Sequence, residues 1–85
     1  MTNTDKDKPS IIFQGTLPKT LIKACLKRAY QIDQVFFEPE TPIYWIYLKE
    51  GFWNAEAETH SVFGNNVSEV LRELKFVRKE NEKLN

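Results

Sequence analysis

Three groups of charged or reactive side chains recur at regular intervals or pair uniquely in this sequence. The first is basic. Lys19, Lys23 and Lys27 recur at every fourth residue with Arg28 beside them, and no acid falls between Leu17 and Tyr30. On a helix that spacing puts the lysines on one face. A row of like charges weakens an isolated helix slightly, and a basic row of this kind can follow a nucleic-acid backbone. A solvated outer face explains it with less. The middle of the chain holds Asp33, Glu38, Glu40, Glu50, Glu56 and Glu58 against Lys49 alone, acids enough to neutralise such a row in the fold.

The second group is Glu56, Glu58 and His60, which alternate. Carboxylate and imidazole both ligate metals, and histidine can exchange a proton near neutral pH. Alternate residues on a strand stand roughly 7 Å apart, however, too far to serve one ion without a bulge. An exposed polar strand edge is the expectation, and no metal. The third group pairs the single thiol with the single imidazole, Cys25 and His60. Cys25 falls on an apolar helical stripe, where a buried structural thiol is the common case. No nucleophile elbow, phosphate-cradling glycine loop or CxxC pair is present. The sequence therefore predicts no catalytic residue and no cofactor.

The strongest feature is apolar, the run Pro42 to Trp53. A half-buried strand alternates apolar and polar residues because successive side chains point to opposite faces. Ile43, Tyr44, Trp45, Ile46, Tyr47 and Leu48 leave neither face polar. A small two-layer domain covers only one face of its sheet, so the other keeps aromatic surface for a partner. Trp45 and Tyr47 are the expected anchors. Phe52 and Trp53 are secondary, because the turn at Lys49-Glu50-Gly51 decides their face. A two-residue turn sets Phe52 beside Ile43, Trp45 and Tyr47. A bulge at Gly51 slips the register and brings Trp53 there instead. Aromatics on an open sheet can also stack on single-stranded bases, but the nearest charges here are mostly glutamates, which repel phosphate. Tyr and Trp suit a protein interface better.

Apolar periodicity and turn residues give the strands and helices on which these side chains sit. Residues 1–9 are polar and charged, closing at Pro9, and read as a loose tail; residues 10–85 form one domain. Ser10 to Gln14 is a short strand stopped by Gly15. Thr16-Leu17-Pro18 reads as a helix start, and Leu21, Ile22, Cys25, Leu26, Ala29 and Tyr30 recur as an amphipathic stripe. Ile32 to Phe37 is strand-like, and Ile43 to Leu48 is the clearest strand. A third strand runs from Phe52 to about Phe63, with an interruption near Glu58. Asn66 with Glu69 three residues on resembles a capping box. Val67, Val70, Leu71, Leu74 and Val77 then form one stripe of a helix that Phe76 does not fit. The helix is expected to continue through Phe76; a short final strand there is the competing expectation.

The order is thus β-α-β-β-β-α, an α+β fold with a small antiparallel sheet and two helices on one face. A strand at Phe76-Val77-Arg78 would make it ferredoxin-like. The αβββα order of residues 17–80 is similar to that of a double-stranded RNA-binding domain in order alone, since no lysines open the helix after the third strand, and that family is not assigned.

At 85 residues the chain is near the size where a single core is just sufficient for independent stability, and oligomerisation often stabilises such a chain. Twelve basic and twelve acidic residues cancel, leaving no global field to draw in nucleic acid or an anionic membrane. The start has neither a signal-peptide nor a transit-peptide pattern, and no segment approaches the roughly 20 apolar residues of a membrane helix. The expected protein is a cytoplasmic, non-catalytic interaction module. Its partner is another protein or its own copy as a homodimer. The alternative is a small nucleic-acid-binding protein using Lys19, Lys23, Lys27 and Arg28.

Overall fold

A computed structural model describes residues 10–80; the tail read at residues 1–9 and residues 81–85 lie outside the described residues. Two helices and six strands follow in the order β1 (Ile12–Gln14), α1 (Lys19–Leu26), β2 (Ile32–Glu38), β3 (Ile43–Leu48), β4 (Phe52–Asn54), β5 (Ser61–Gly64), α2 (Val67–Glu73) and β6 (Val77–Lys79). A short 3-10 turn, Leu74–Phe76, joins α2 to β6. The fold is α+β, with a mixed sheet rather than a purely antiparallel one.

The main sheet has the order β1-β2-β3-β5. β1 runs parallel to β2, a pairing that the intervening α1 makes possible. β2 and β5 flank β3 antiparallel, with Val35 opposite Ile46 and Ile46 opposite Val62. Those three residues are fully buried, as are Leu21 and Cys25 of α1 and Val70 of α2, all in one core cluster. Both helices therefore lie on the same face of the sheet.

Several local expectations change. Pro18, not Thr16, stands at the N-cap of α1, and no side chain caps that end. The fixed φ of proline sets the entry, and its carbonyl accepts the first helical bond from Ile22 N–H (3.1 Å). α1 stops at Leu26 and continues as tight turns, closed by Arg28 N–H on the Cys25 carbonyl (3.0 Å) and Gln31 N–H on the Arg28 carbonyl (2.9 Å). The stripe consequently breaks, and Leu26 and Tyr30 face solvent.

The expected third strand is two strands. Glu58, in the left-handed region at φ 60°, lies in the turn that separates β4 from β5. Buried Asn54 organises that turn: its Oδ1 accepts from the N–H groups of Glu56 and Ala57 (3.1 and 3.2 Å), and its Nδ2 donates to the Ser61 carbonyl (3.3 Å). β3 and β4 form no hairpin in either register. β4 instead leaves the main sheet and pairs antiparallel with β6, Trp53 opposite Arg78.

α2 begins as its sequence predicts. Asn66 Oδ1 accepts from Glu69 N–H (2.9 Å), and Glu69 Oε1 accepts from Asn65 N–H (2.9 Å). The helix does not run through Phe76. It tightens at Leu74 and becomes a strand at Val77, which keeps Leu74 and Val77 in the core without a helix to carry them. This strand does not yield a ferredoxin-like sheet, because it pairs with β4 and not with the main sheet.

Candidate functional site

The face of the main sheet turned away from the helices is aromatic. The register that buries Val35, Ile46 and Val62 must point their strand neighbours outward. Phe36 stands opposite Trp45, and Trp45 opposite Phe63; Tyr47 follows two residues on, between Gln34 and Ser61. The four rings form a chain with centroid separations of 5.3 Å (Phe36 to Tyr47), 6.3 Å (Tyr47 to Trp45) and 5.1 Å (Trp45 to Phe63). Tilted and edge-on contacts of this kind stabilise such pairs by about 0.5–1.5 kcal/mol beyond area burial.

Polar groups fix the border of this surface. Trp45 Nε1 donates to Glu38 Oε1 across β2 and β3 (2.9 Å). Gln34 Nε2 donates to Gln14 Oε1 (2.7 Å), an amide pair beside Phe36. Tyr47 is 42% exposed, Phe63 51% and Ile12 61%. With roughly 150–250 Å² per aromatic side chain, the face presents roughly 300–400 Å² of open apolar surface, within the range of the largest patch on an ordinary monomer.

Of the residues expected from sequence, Trp45 and Tyr47 share this face. Phe52 and Trp53 do not, since β4 turns away at Gly51, whose φ of +96° makes the bend. Phe52 instead packs against the core with its ring edge-on to Tyr30 (5.9 Å). Phe36 and Phe63 were missed. Each follows a buried valine, so alternation alone marks both as outward; what the sequence withheld is that their strands flank β3.

Lys19, Lys23 and Lys27 project exposed from α1 and Arg28 follows in the turn, half-buried and donating to Gln31 Oε1 (3.5 Å). None of the four makes an ion pair with another described residue. α1 covers the inner face of the sheet, so this ridge and the aromatic face lie on opposite sides of the molecule.

Glu56 and Glu58 lie in the β4–β5 turn, and His60 contacts Glu80 instead of either of them. No group of His, Cys, Asp and Glu able to hold a metal ion occurs among the described residues. Cys25 is a free, fully buried thiol, which burial pushes up to about 11. A thiol so raised is a poor nucleophile at neutral pH.

No helix among the described residues is long and apolar enough to cross a membrane. No family model matches the chain, and no curated protein or solved structure matches it.

Proposed function

We propose that this domain is a small, non-catalytic interaction module that docks another protein against the outer face of its sheet. The observation that carries the proposal is the chain of four rings, Phe36, Tyr47, Trp45 and Phe63, on the face that no helix among the described residues covers. Their border of Gln14, Gln34, Ser61 and Glu38 is neutral or acidic, and the one cation beside it, Lys49, already donates to the Ser10 carbonyl (3.0 Å). Protein therefore fits the face better than nucleic acid. Trp45 is the central anchor, braced by Glu38 and touching two other rings. A cytoplasmic setting, where a lone thiol such as Cys25 stays reduced, goes with this proposal.

Affinity capture from a lysate of the source cells, with wild type beside Trp45→Ala, tests the assignment. Truncating a central anchor typically costs about 2 kcal/mol or more, so partners seen with wild type should fall away. Equal recovery of every partner by the two proteins removes the anchor from Trp45.

One observation favours a second reading: the lysine row of α1 makes no ion pair among the described residues. An unneutralised ridge is what a nucleic-acid-binding helix requires. Binding of DNA or RNA at low salt, weakened by changing Lys19, Lys23 and Lys27 to Gln, is then expected. An electrophoretic shift assay that shows no complex at low salt disposes of it.

A further inference from the structure

β5 is an outer strand of the main sheet, and its far side carries backbone groups that no described residue takes up. One bond sets the phase of the ladder: Leu48 N–H donates to the His60 carbonyl (3.0 Å). Antiparallel pairs alternate between bonded and non-bonded. Val62 opposite Ile46 and Gly64 opposite Tyr44 therefore turn their backbone toward β3, while Ser61 and Phe63 turn theirs away. The Ser61 carbonyl is taken by Asn54 Nδ2 and Thr59 Oγ1. Asn65 N–H is taken by Glu69 (2.9 Å). Among the described residues Phe63 N–H and its carbonyl are bonded to nothing.

Beside that open stretch lies a groove of about 270 Å³, walled by Phe63 and Gly64 of β5, Asn54 of β4, and Glu69, Arg72 and Glu73 of α2. It is just smaller than the roughly 300–1,000 Å³ of small-molecule sites, and suits one or two side chains of a chain segment. Glu69 and Glu73 against Arg72 leave the α2 wall one net negative charge. An unpaired sheet edge is a template for an added strand. In an added strand, neighbouring side chains point to opposite faces. One would reach the α2 wall and the next would lie on the aromatic face beside Phe63.

We infer that the β5 edge binds an extended segment of another protein in which a lysine or arginine adjoins an apolar residue. The segment's backbone pairs with Phe63, its cation seats against Glu73 and Glu69, and its apolar neighbour lies on Phe63 and Trp45. A second copy of this chain fits worse, since twofold pairing of two β5 edges would bring together two walls that each carry a net negative charge. The apolar contact rests on the proposed docking role of the aromatic face; the strand pairing and the cation seat do not.

A phage-displayed library of random dodecapeptides panned against the full chain tests this, followed by anisotropy titration of the enriched peptides. Enrichment of Lys or Arg next to an apolar residue is expected. Phe63→Pro deletes an N–H that faces away from β3, where proline is tolerated, and should bind at least tenfold more weakly than Phe63→Ala, which loses the same ring but keeps the N–H. Glu73→Lys, at a carboxylate with no described partner, should weaken binding at least tenfold and reverse the preference toward acidic peptides. In the wild type, hydrogen exchange at the Phe63 amide should slow when peptide is added, a readout that needs no variant. No enrichment above background overturns the inference, and so does unchanged exchange at Phe63. Peptides lost on Trp45→Ala but kept by Phe63→Pro leave docking to the aromatic face alone and overturn the edge site. Peptides lost on Phe63→Pro but kept by Phe63→Ala and Trp45→Ala uphold the edge and remove the face, whereas equal loss on Phe63→Pro and Phe63→Ala assigns binding to the ring and overturns the edge. A homodimer abolished by Phe63→Pro but kept by Phe63→Ala gives the edge to a second copy and overturns the inference as well.

Discussion

The chemistry of this chain at the scale of single residues is mostly the chemistry of being buried. Cys25 is the clearest case. With no solvent contact and no neighbouring cation to favour a thiolate, its thiol is pushed from the usual 9.0 up to about 11 by desolvation. The consequence for stability has a definite sign. Below about pH 9 the thiol is protonated in both folded and unfolded chains and contributes no pH dependence. Between about 9 and 11 the unfolded chain releases its proton first, so the folded state loses stability as pH rises. Two pKa units correspond to about 2–3 kcal/mol in all. Urea midpoints measured from pH 8 to 11 should fall more steeply for the wild type than for Cys25→Ala, which differs from it in this one side chain. Parallel curves would show that Cys25 is not the group responsible. The same burial keeps the thiol from solvent, and the imidazole of His60 contacts Glu80 instead of this thiol.

Among elements, β5 and α2 approach closely at Gly64. A Cβ at Gly64 would stand 2.5 Å from the Val70 backbone nitrogen and 2.9 Å from its Cα, so only glycine lets the helix lie this close to the strand. Gly64→Ala must push α2 outward, and overpacking of this kind typically costs about 1–3 kcal/mol. Denaturant unfolding should show that loss; an unchanged midpoint would mean that α2 moves freely. The residues at this joint also show what was legible in advance. Asn66 and Glu69 announce the start of α2 because capping is local chemistry. The run Ile43–Leu48 announces β3, and the turn that breaks the third strand falls at Glu58 as expected. Pairing is not local. A glycine turn after β3 suggests a hairpin, yet β4 finds its partner at Val77–Lys79, beyond β5 and α2. The partners of β3 are β2 and β5, so Phe36 and Phe63 join Trp45 only through register, which no short window of residues contains. Phe76 belongs to the same class of difficulty. Its misfit with the helical stripe was visible, while the strand that resolves it needs β4 as a partner.

For the molecule as a whole, the question is how an aromatic face of modest size finds a stable partner. A marginal core and a strand apolar on both sides suggest a homodimer, and twofold dimers are the commonest oligomers. Area limits that expectation. Pairing the outer faces of two copies would bury roughly 300–400 Å² on each, against about 800 Å² per partner in an interface of standard size. We therefore propose self-association through this face only as a weak equilibrium, with a stable complex needing the face together with its flanks. Sedimentation equilibrium should find monomer at low micromolar concentration and a reversible dimer only well above it. Trp45→Glu, which sets a charge in the middle of the rings, should leave monomer throughout. A tight dimer at micromolar concentration that survives this substitution would place the interface elsewhere. The exposed side of α1 would be examined next, because Leu26 and Tyr30 lie open there beside the lysine row.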